Sequence, residues 1–149
     1  KLNDFGFYFD GWLSMAETME MDITYGVKET EFAHVLSLVP GVFMEGFENM
    51  KTEGNFQFDG FVKGVMDDST GKMPAFNLNL QIADAMFQYP DLPSAVKNIA
   101  VDLKINSEQD QMESMEILLN KFHLDMGANP VDAKALVKLQ NSFDYGYKY

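Results

Sequence analysis

Apolar and polar residues alternate along most of this chain. A period of two is that of a β-strand, whose successive side chains point to opposite faces of a sheet. A helical period fits badly, because it would place Asn79 beside Phe76 and Leu80 on the buried side. The chain is therefore predicted to form strands with one apolar and one polar face, most clearly over residues 19–28, 76–83, 99–106, 122–126 and 131–139.

Short stretches of turn-forming or polar residues separate these runs. They lie at residues 67–72, 89–93, 108–111 and 127–130. Asp, Asn, Ser, Gly and Pro favour turns because they tolerate or fix the backbone angles that turns require. The stretch at 127–130 joins two alternating runs directly, which predicts a hairpin turn there.

One stretch has a helical period instead. Four apolar residues stand at i, i+3, i+4 and i+7, namely Phe32, Val35, Leu36 and Val39. Thr30 precedes them as a candidate N-cap, and Pro40-Gly41 follows as a stop signal. We therefore predict one short helix over residues 31–39.

The phrase "FYFDGW" at residues 7–12 recurs as "FQFDGF" at residues 56–61. Asp-Gly between apolar residues favours a tight hairpin, which is one interpretation of both copies. The alternation nevertheless continues through each Asp-Gly without a change of phase, and it places Gly11 and Gly60 on the apolar side. We therefore favour two long strands, each bent at its glycine, as parts of a degenerate repeat in one curved sheet.

These elements predict a mainly β fold (α+β with the one short helix) of about eight strands in a curved antiparallel sheet. An apolar sheet face must be covered by a second layer, and one two-turn helix is too small to cover it. The sheet is expected either to fold over as a sandwich or barrel, or to line an open groove that holds a ligand. Residues 1–141 are predicted to form a single β-rich segment, and residues 142–149 a frayed tail.

Composition excludes several classes of function. The chain has 149 residues, a net charge of −12 and no arginine among its 11 basic residues. Such an acidic chain repels phosphate backbones and anionic membrane surfaces, so nucleic acid is not an expected partner. Cysteine is absent, which removes disulfide, thiolate and zinc-thiolate chemistry.

Few residues suggest catalysis or metal binding. His34 lies in the predicted helix away from its apolar stripe, where a solvated or capping role is expected. His123 and Asp125 share the polar side of one strand, but two ligands from one strand make no metal site without further partners. The spacing in residues 67–72 matches neither an EF-hand nor a P-loop. We therefore predict no catalytic residue, metal or cofactor.

Two segments are similar to the C-terminal region of AsmA-family proteins. They are "MFQYPDLPSAVKNI" at residues 86–99 and "KFHLDMGANP" at residues 121–130, within the similar stretches 72–105 and 118–139. The upstream stretches 5–15 and 36–64 resemble the same family, so the resemblance covers nearly the whole chain apart from residues 142–149.

The resemblance implies a location and a role. AsmA-like proteins are anchored to the inner membrane of Gram-negative bacteria by an N-terminal helix and extend a β-rich body into the periplasm. They are related to TamB-like and chorein-type bridge proteins, whose curled sheets carry lipid acyl chains, and they are implicated in outer-membrane biogenesis and phospholipid traffic. The chain is accordingly expected to be a non-enzymatic periplasmic segment of a longer protein. Its expected partners are phospholipid acyl chains, neighbouring segments of the parent chain and outer-membrane assembly proteins.

The best candidates for acyl contact belong to the two longest clean alternations within the region of strongest resemblance. They are Phe76, Leu78, Leu80, Ile82, Ile99, Val101, Leu103 and Ile105. Under the alternative hypothesis, the chain is a structural spacer or protein-interaction domain in which the same residues form a closed, dry core. A third and weaker hypothesis is an enzyme, which would need a polar cleft.

Overall fold

A computed structural model describes residues 6–31, 34, 49–91, 93–108 and 111–139. The described residues form seven strands, and they confirm the mainly β fold class. The strands are β1 (Phe7–Met15), β2 (Met19–Glu31), β3 (Lys51–Met66), β4 (Ala75–Gln88), β5 (Val96–Glu108), β6 (Gln111–Met126) and β7 (Asn129–Lys138).

Every strand pairs antiparallel with the strands that precede and follow it in the chain. The order across the sheet is therefore β1-β2-β3-β4-β5-β6-β7. The sheet is curved and open rather than closed into a barrel, as the antiparallel groove interpretation requires. Within the described residues, β1 and β7 each pair on one side only and form the two edges.

The turns lie where the sequence places them. Asp67 and Lys72 pair across the β3–β4 connection, each donating its N–H to the other's carbonyl at 3.1 and 3.0 Å. Gly127 and Ala128 connect β6 to β7, with Met126 opposite Asn129. Gly127 has a φ of 64°, and two-residue hairpin turns with a positive φ at their first position strongly prefer glycine.

Only part of the predicted helix lies in the described residues. Glu31, expected in its first turn, is instead the last residue of β2, while His34 is helical. The hydroxyl of Thr30 is 3.2 Å from Nδ1 of His34. The rest of the predicted helix and the tail at 142–149 lie outside the described residues. The part of the chain that the structure describes contains no helix long and apolar enough to cross a membrane.

Both Asp-Gly pairs lie inside strands, which confirms the prediction from the unbroken alternation. Gly11 is in β1 opposite Ile23, and Gly60 is in β3 between Tyr25 on β2 and Leu78 on β4. The hairpin alternative for these two sites is wrong, because pairing continues on both sides of each glycine.

Tyrosines cover two of the strand glycines. Tyr25 lies directly opposite Gly60, and its hydroxyl donates a hydrogen bond of 3.0 Å to the carbonyl of Asn77 on β4. A Cβ at Gly60 would stand 2.7 Å from that hydroxyl, so the tyrosine can cross the strand only because residue 60 has no side chain. Tyr8 lies opposite Gly26 in the same way. Such aromatic–glycine pairs fix the register of neighbouring strands.

A line of bulges crosses four neighbouring strands near one end of the sheet. The pairing register shifts between Val27 and Thr30 on β2, and again beside Gly54, Asp84 and Asn98 on β3, β4 and β5. The last three have φ values of 110°, 51° and 53°. Bulges bend a strand and increase its twist, so this line accounts for curvature at that end of the sheet.

The two faces of the sheet differ sharply in polarity. Residues directly opposite each other in an antiparallel pair share a face, so the register assigns every paired residue to one side. One side, here called the apolar face, carries apolar residues from all seven strands; representative rows are Phe9-Tyr25-Gly60-Leu78-Ile105-Ile117-Val137 and Val27-Phe58-Leu80-Leu103-Leu119-Ala135. The opposite polar face carries most of the paired charged and amide side chains.

Candidate functional site: the apolar face

The eight predicted groove residues lie together on the apolar face of two neighbouring strands. Phe76, Leu78, Leu80 and Ile82 are on β4, and Ile99, Val101, Leu103 and Ile105 are on β5. Six of them form direct cross-strand pairs: Leu78–Ile105, Leu80–Leu103 and Ile82–Val101. Of the other two, Phe76 lies opposite Ser107 in the same register, and Ile99 lies opposite Ala85 because the bulge beside Asp84 shifts the register there.

All eight side chains are half-buried. Among the described residues, the buried apolar side chains are Met21, Val27, Pro74, Ala85 and Val96, and no large side chain is fully buried. An apolar surface of this extent usually marks a site that meets another molecule or another layer of protein.

The apolar face extends beyond the eight predicted residues toward β2 and β3. Tyr25, Phe56 and Phe58 form a cluster of rings there, with centroid distances of 6.2 Å for Tyr25–Phe58 and 5.7 Å for Phe56–Phe58. Phe58 lies opposite Leu80, so the cluster is continuous with the predicted groove. The alternation along β2 and β3 was the signal for these residues, which are not among the eight predicted groove residues.

The apolar face also differs from the polar face in its charge. In the described register, no charged side chain lies among its paired residues from β1 to β7. The pKa of Tyr25 is raised, first because partial burial disfavours the phenolate and then because Asp59 is negatively charged. At neutral pH this face is therefore electrically neutral.

The polar face holds a network of amides and charges. Asn79 donates hydrogen bonds to Asp59 at 3.0 Å and to Asn77 at 3.2 Å, and Gln57 donates to Gln81. Ion pairs join Lys63 to Asp22 at 2.7 Å and Lys138 to Glu116 at 3.2 Å. Ion pairs on a protein surface contribute little to the free energy of folding. The main effect of the polar face is therefore to keep one side of the sheet solvated.

His123 has two carboxylate neighbours on the polar face. Its Nδ1 lies 2.8 Å from Asp132 of β7, and its Nε2 lies 3.5 Å from Asp125. The sequence indicated Asp125 alone, but the two-residue turn at 127–128 also fixes Asp132 opposite His123. The described residues contain no group of three or more His, Asp or Glu side chains placed to hold a metal ion.

The loop at residues 67–72 is a polar hairpin turn, as predicted. The backbone N–H of Ser69 donates to Oδ1 of Asp67 at 2.9 Å, and the hydroxyl of Thr70 donates to Oδ2 at 2.8 Å. The Ser69 hydroxyl also donates to Oδ1, at 2.6 Å, and this bond, followed by that from Thr70, does most to lower the pKa of the Asp67 carboxyl. The Asp67 carboxylate thus stabilises the turn.

Two open cavities have volumes of about 410 and 400 Å³. The first is between the β1–β2 and β3–β4 turns and is lined by Met15, Met19 and Met66 among others. The second is at the β6 bulge, where Asn120 and Phe122 face β7. Neither includes any of the eight groove candidates.

Comparisons with protein-family models, with curated proteins and with solved structures find no match for this chain.

Proposed function

We propose that this chain is a non-enzymatic, lipid-handling segment of an AsmA-like envelope protein. In this proposal, the apolar face of β4 and β5 contacts phospholipid acyl chains, while the polar face remains in water. The resemblance adds the setting: a periplasmic segment of an inner-membrane-anchored parent that takes part in outer-membrane biogenesis.

The observation that carries the proposal is the continuity of the apolar face. It runs across seven antiparallel strands without a charged residue in the described register, and the eight central candidates are only half-buried. The described strands form a single layer whose apolar side is partly exposed, and such a surface suits a ligand that is itself long and apolar.

Acyl chains match this surface physically. Burial of each methylene contributes about 0.8 kcal/mol, so a short track of apolar side chains is enough to hold a lipid tail. Rings such as Phe56 and Phe58 offer wide contact areas, and flexible methionines such as Met15 and Met19 adapt to chains of different shape. Holding a tail needs no nucleophile, acid or metal.

Lipid analysis of the purified protein tests the proposal. The 149-residue chain is isolated from membranes under mild conditions, and bound lipid is quantified by mass spectrometry and by binding of a fluorescent fatty acid. We expect stoichiometric phospholipid with the unaltered chain. We expect at least a tenfold loss with Leu80→Glu or Val101→Glu, because either change places a carboxylate on the apolar face.

Gln81→Glu is the matched control. Residue 81 is next to Leu80 but lies on the polar face, and a glutamate there keeps the oxygen that accepts from Gln57. The same charge in the same strand should leave lipid binding unchanged. Lipid-free protein that also ignores the fluorescent fatty acid, or equal loss in Gln81→Glu and Leu80→Glu, would favour the closed-core spacer.

A further inference from the structure

Three methionines form one row across the first three strands, at the end of the sheet where the β1–β2 and β3–β4 turns lie. Met19 of β2 is directly opposite Met15 of β1 on one side and Met66 of β3 on the other. Directly opposite residues share a face, and their Cα atoms are about 4.5–5.5 Å apart. The three side chains therefore project from the same face at adjacent positions.

The three methionines also line one cavity. It is the open cavity of about 410 Å³ between the two turns, and Met15, Met19 and Met66 are all part of its lining. A methionine side chain has three rotatable bonds, so it adapts its shape to its surroundings. The outer two side chains can thus lean toward Met19 and bring three thioether sulfurs to a common centre.

Core packing does not account for this row. Methionine often fills gaps inside a core, and buried Met21, two residues along β2 from Met19, fits that description. Met15 is instead 73% exposed, while Met19 and Met66 are half-buried. The row of three therefore borders open space, where a methionine has no gap to fill.

The charged residues that line the cavity are all acidic. They are Glu17, Asp67 and Asp68. Asp67 accepts hydrogen bonds from the N–H of Ser69 and the hydroxyl of Thr70, so its carboxylate is occupied within the turn. Glu17 and Asp68 are exposed. Their negative charge raises the local concentration of cations beside the three sulfurs.

The donor atoms determine which cation fits. Calcium and magnesium need about six oxygen ligands, and the described residues contain no group of three or more His, Asp or Glu side chains placed to hold a metal ion. Zinc prefers thiolate and imidazole ligands, whereas the chain has no cysteine and neither of its histidines lines this cavity. Thioether sulfur is a soft ligand that selects Cu(I).

We propose that Met15, Met19 and Met66 form a binding site for Cu(I), with the three thioether sulfurs as its ligands. Glu17 and Asp68 attract the ion to the cavity without coordinating it. The site goes beyond lipid handling and does not depend on it, because its residues lie on β1, β2 and β3 rather than among the eight groove candidates of β4 and β5.

Titration of the 149-residue chain with Ag(I) tests the site, because Ag(I) is a soft ion of the same charge that is stable in air. Labelling with ¹³C at the methionine methyl groups gives one NMR signal for each of the 11 methionines. We expect one equivalent of Ag(I) to shift the signals of Met15, Met19 and Met66 and to leave that of Met126 in place. An absence of shifts, or shifts as large at Met126, would overturn the proposal.

Affinity measurements with Cu(I) identify the ligands. The ion is supplied anaerobically in competition with bicinchoninate, whose Cu(I) complex is coloured. Met15→Leu, Met19→Leu and Met66→Leu should each weaken binding at least about tenfold, because leucine keeps the volume but has no sulfur. Met126→Leu is the matched control, since it makes the same change at an exposed methionine of β6, and it should bind like the unaltered chain. Equal losses in all four variants, or none in any, would contradict the assignment.

Two further measurements distinguish sulfur from oxygen ligands. Zn²⁺ and Ca²⁺ in excess should not displace Cu(I), and Asp68→Asn should weaken Cu(I) binding by less than about threefold, as expected for a charge that acts only through solvent. Displacement by either ion, or a larger loss in Asp68→Asn than in the methionine variants, would assign the ion to the acidic turns and refute the thioether site. Circular dichroism checks that every variant keeps its strands.

Discussion

Because glycine has no side chain, Gly60 determines how β2, β3 and β4 pack together. Tyr25 of β2 lies over it and bonds to the carbonyl of Asn77 on β4. The sequence predicted that Gly60 lies inside a strand on the apolar face, because the alternation kept its phase. It gave no indication of the tyrosine, since cross-strand partners follow from a register that one strand alone does not define.

Gly60→Ala should lower the free energy of unfolding by about 2 kcal/mol. The added Cβ would clash with the carbonyl of Asn77 and with the Tyr25 ring, so one strand or the tyrosine must move. Gly6→Ala is the control, because its Cβ would meet only the Cβ of Lys28 at an ordinary 3.7 Å. Urea titration followed by circular dichroism measures both. Equal effects of the two changes would argue against the packing described for Tyr25.

Tyr25 should also make stability depend on alkaline pH. Its pKa is raised in the folded chain by desolvation and by Asp59, from 10.0. A raised pKa means that the folded state holds the proton more tightly, so this contribution is complete below about pH 10 and is lost as pH rises through the folded pKa. Tyr25→Phe should therefore show a smaller loss of stability above pH 10 than the unaltered chain.

The measurement is the difference in urea midpoint between the two proteins at pH 8 and above pH 10. At pH 8 the variant lacks only the hydrogen bond to Asn77, which typically contributes about 1 kcal/mol. Above pH 10 the difference should shrink, since the ionised oxygen can no longer donate that bond. A difference that stays constant across this range would contradict the inferred environment of Tyr25.

Strands were the most predictable elements, whereas their irregularities were not. Alternation located the strands around Leu80 and Val101, because a sheet with one solvated face has polar residues at every second position of its strands. The bulges beside Asp84 and Asn98 were not predicted, since an extra residue is recognisable only when the partner strand is known. The helix predicted over 31–39 is wrong at Glu31, which ends β2, whereas His34 is helical; the other residues of that range lie outside the described residues.

Hydrogen exchange should rank the strands by their place in the sheet. Strands β4 and β5 have neighbours on both sides, so their amides should exchange most slowly. Among the described strands, β7 pairs only with β6, and all its residues are exposed. Its amides should therefore exchange at least tenfold faster. Equal protection of β4 and β7 would indicate that another chain or segment covers the β7 edge.

At the scale of the whole molecule, the sequence predicted the fold class but left open whether the sheet closes. Alternation is identical for a groove and for a sandwich, because both need one apolar face per strand. The burial of Leu80 and Leu103 depends instead on what lies over them, which is a property of strand order and curvature. The site was thus predictable as a set of residues, but its partial exposure was not.

The strand order has a further consequence. Since each strand pairs only with its neighbours in the chain, one more hairpin at either end would leave every existing pair unchanged. The width of such a sheet grows by about 4.8 Å for each added strand. The number of strands then sets the width of the sheet. Proteins with this strand order can become wider or narrower by gaining or losing hairpins, while the sequence of the central strands stays the same.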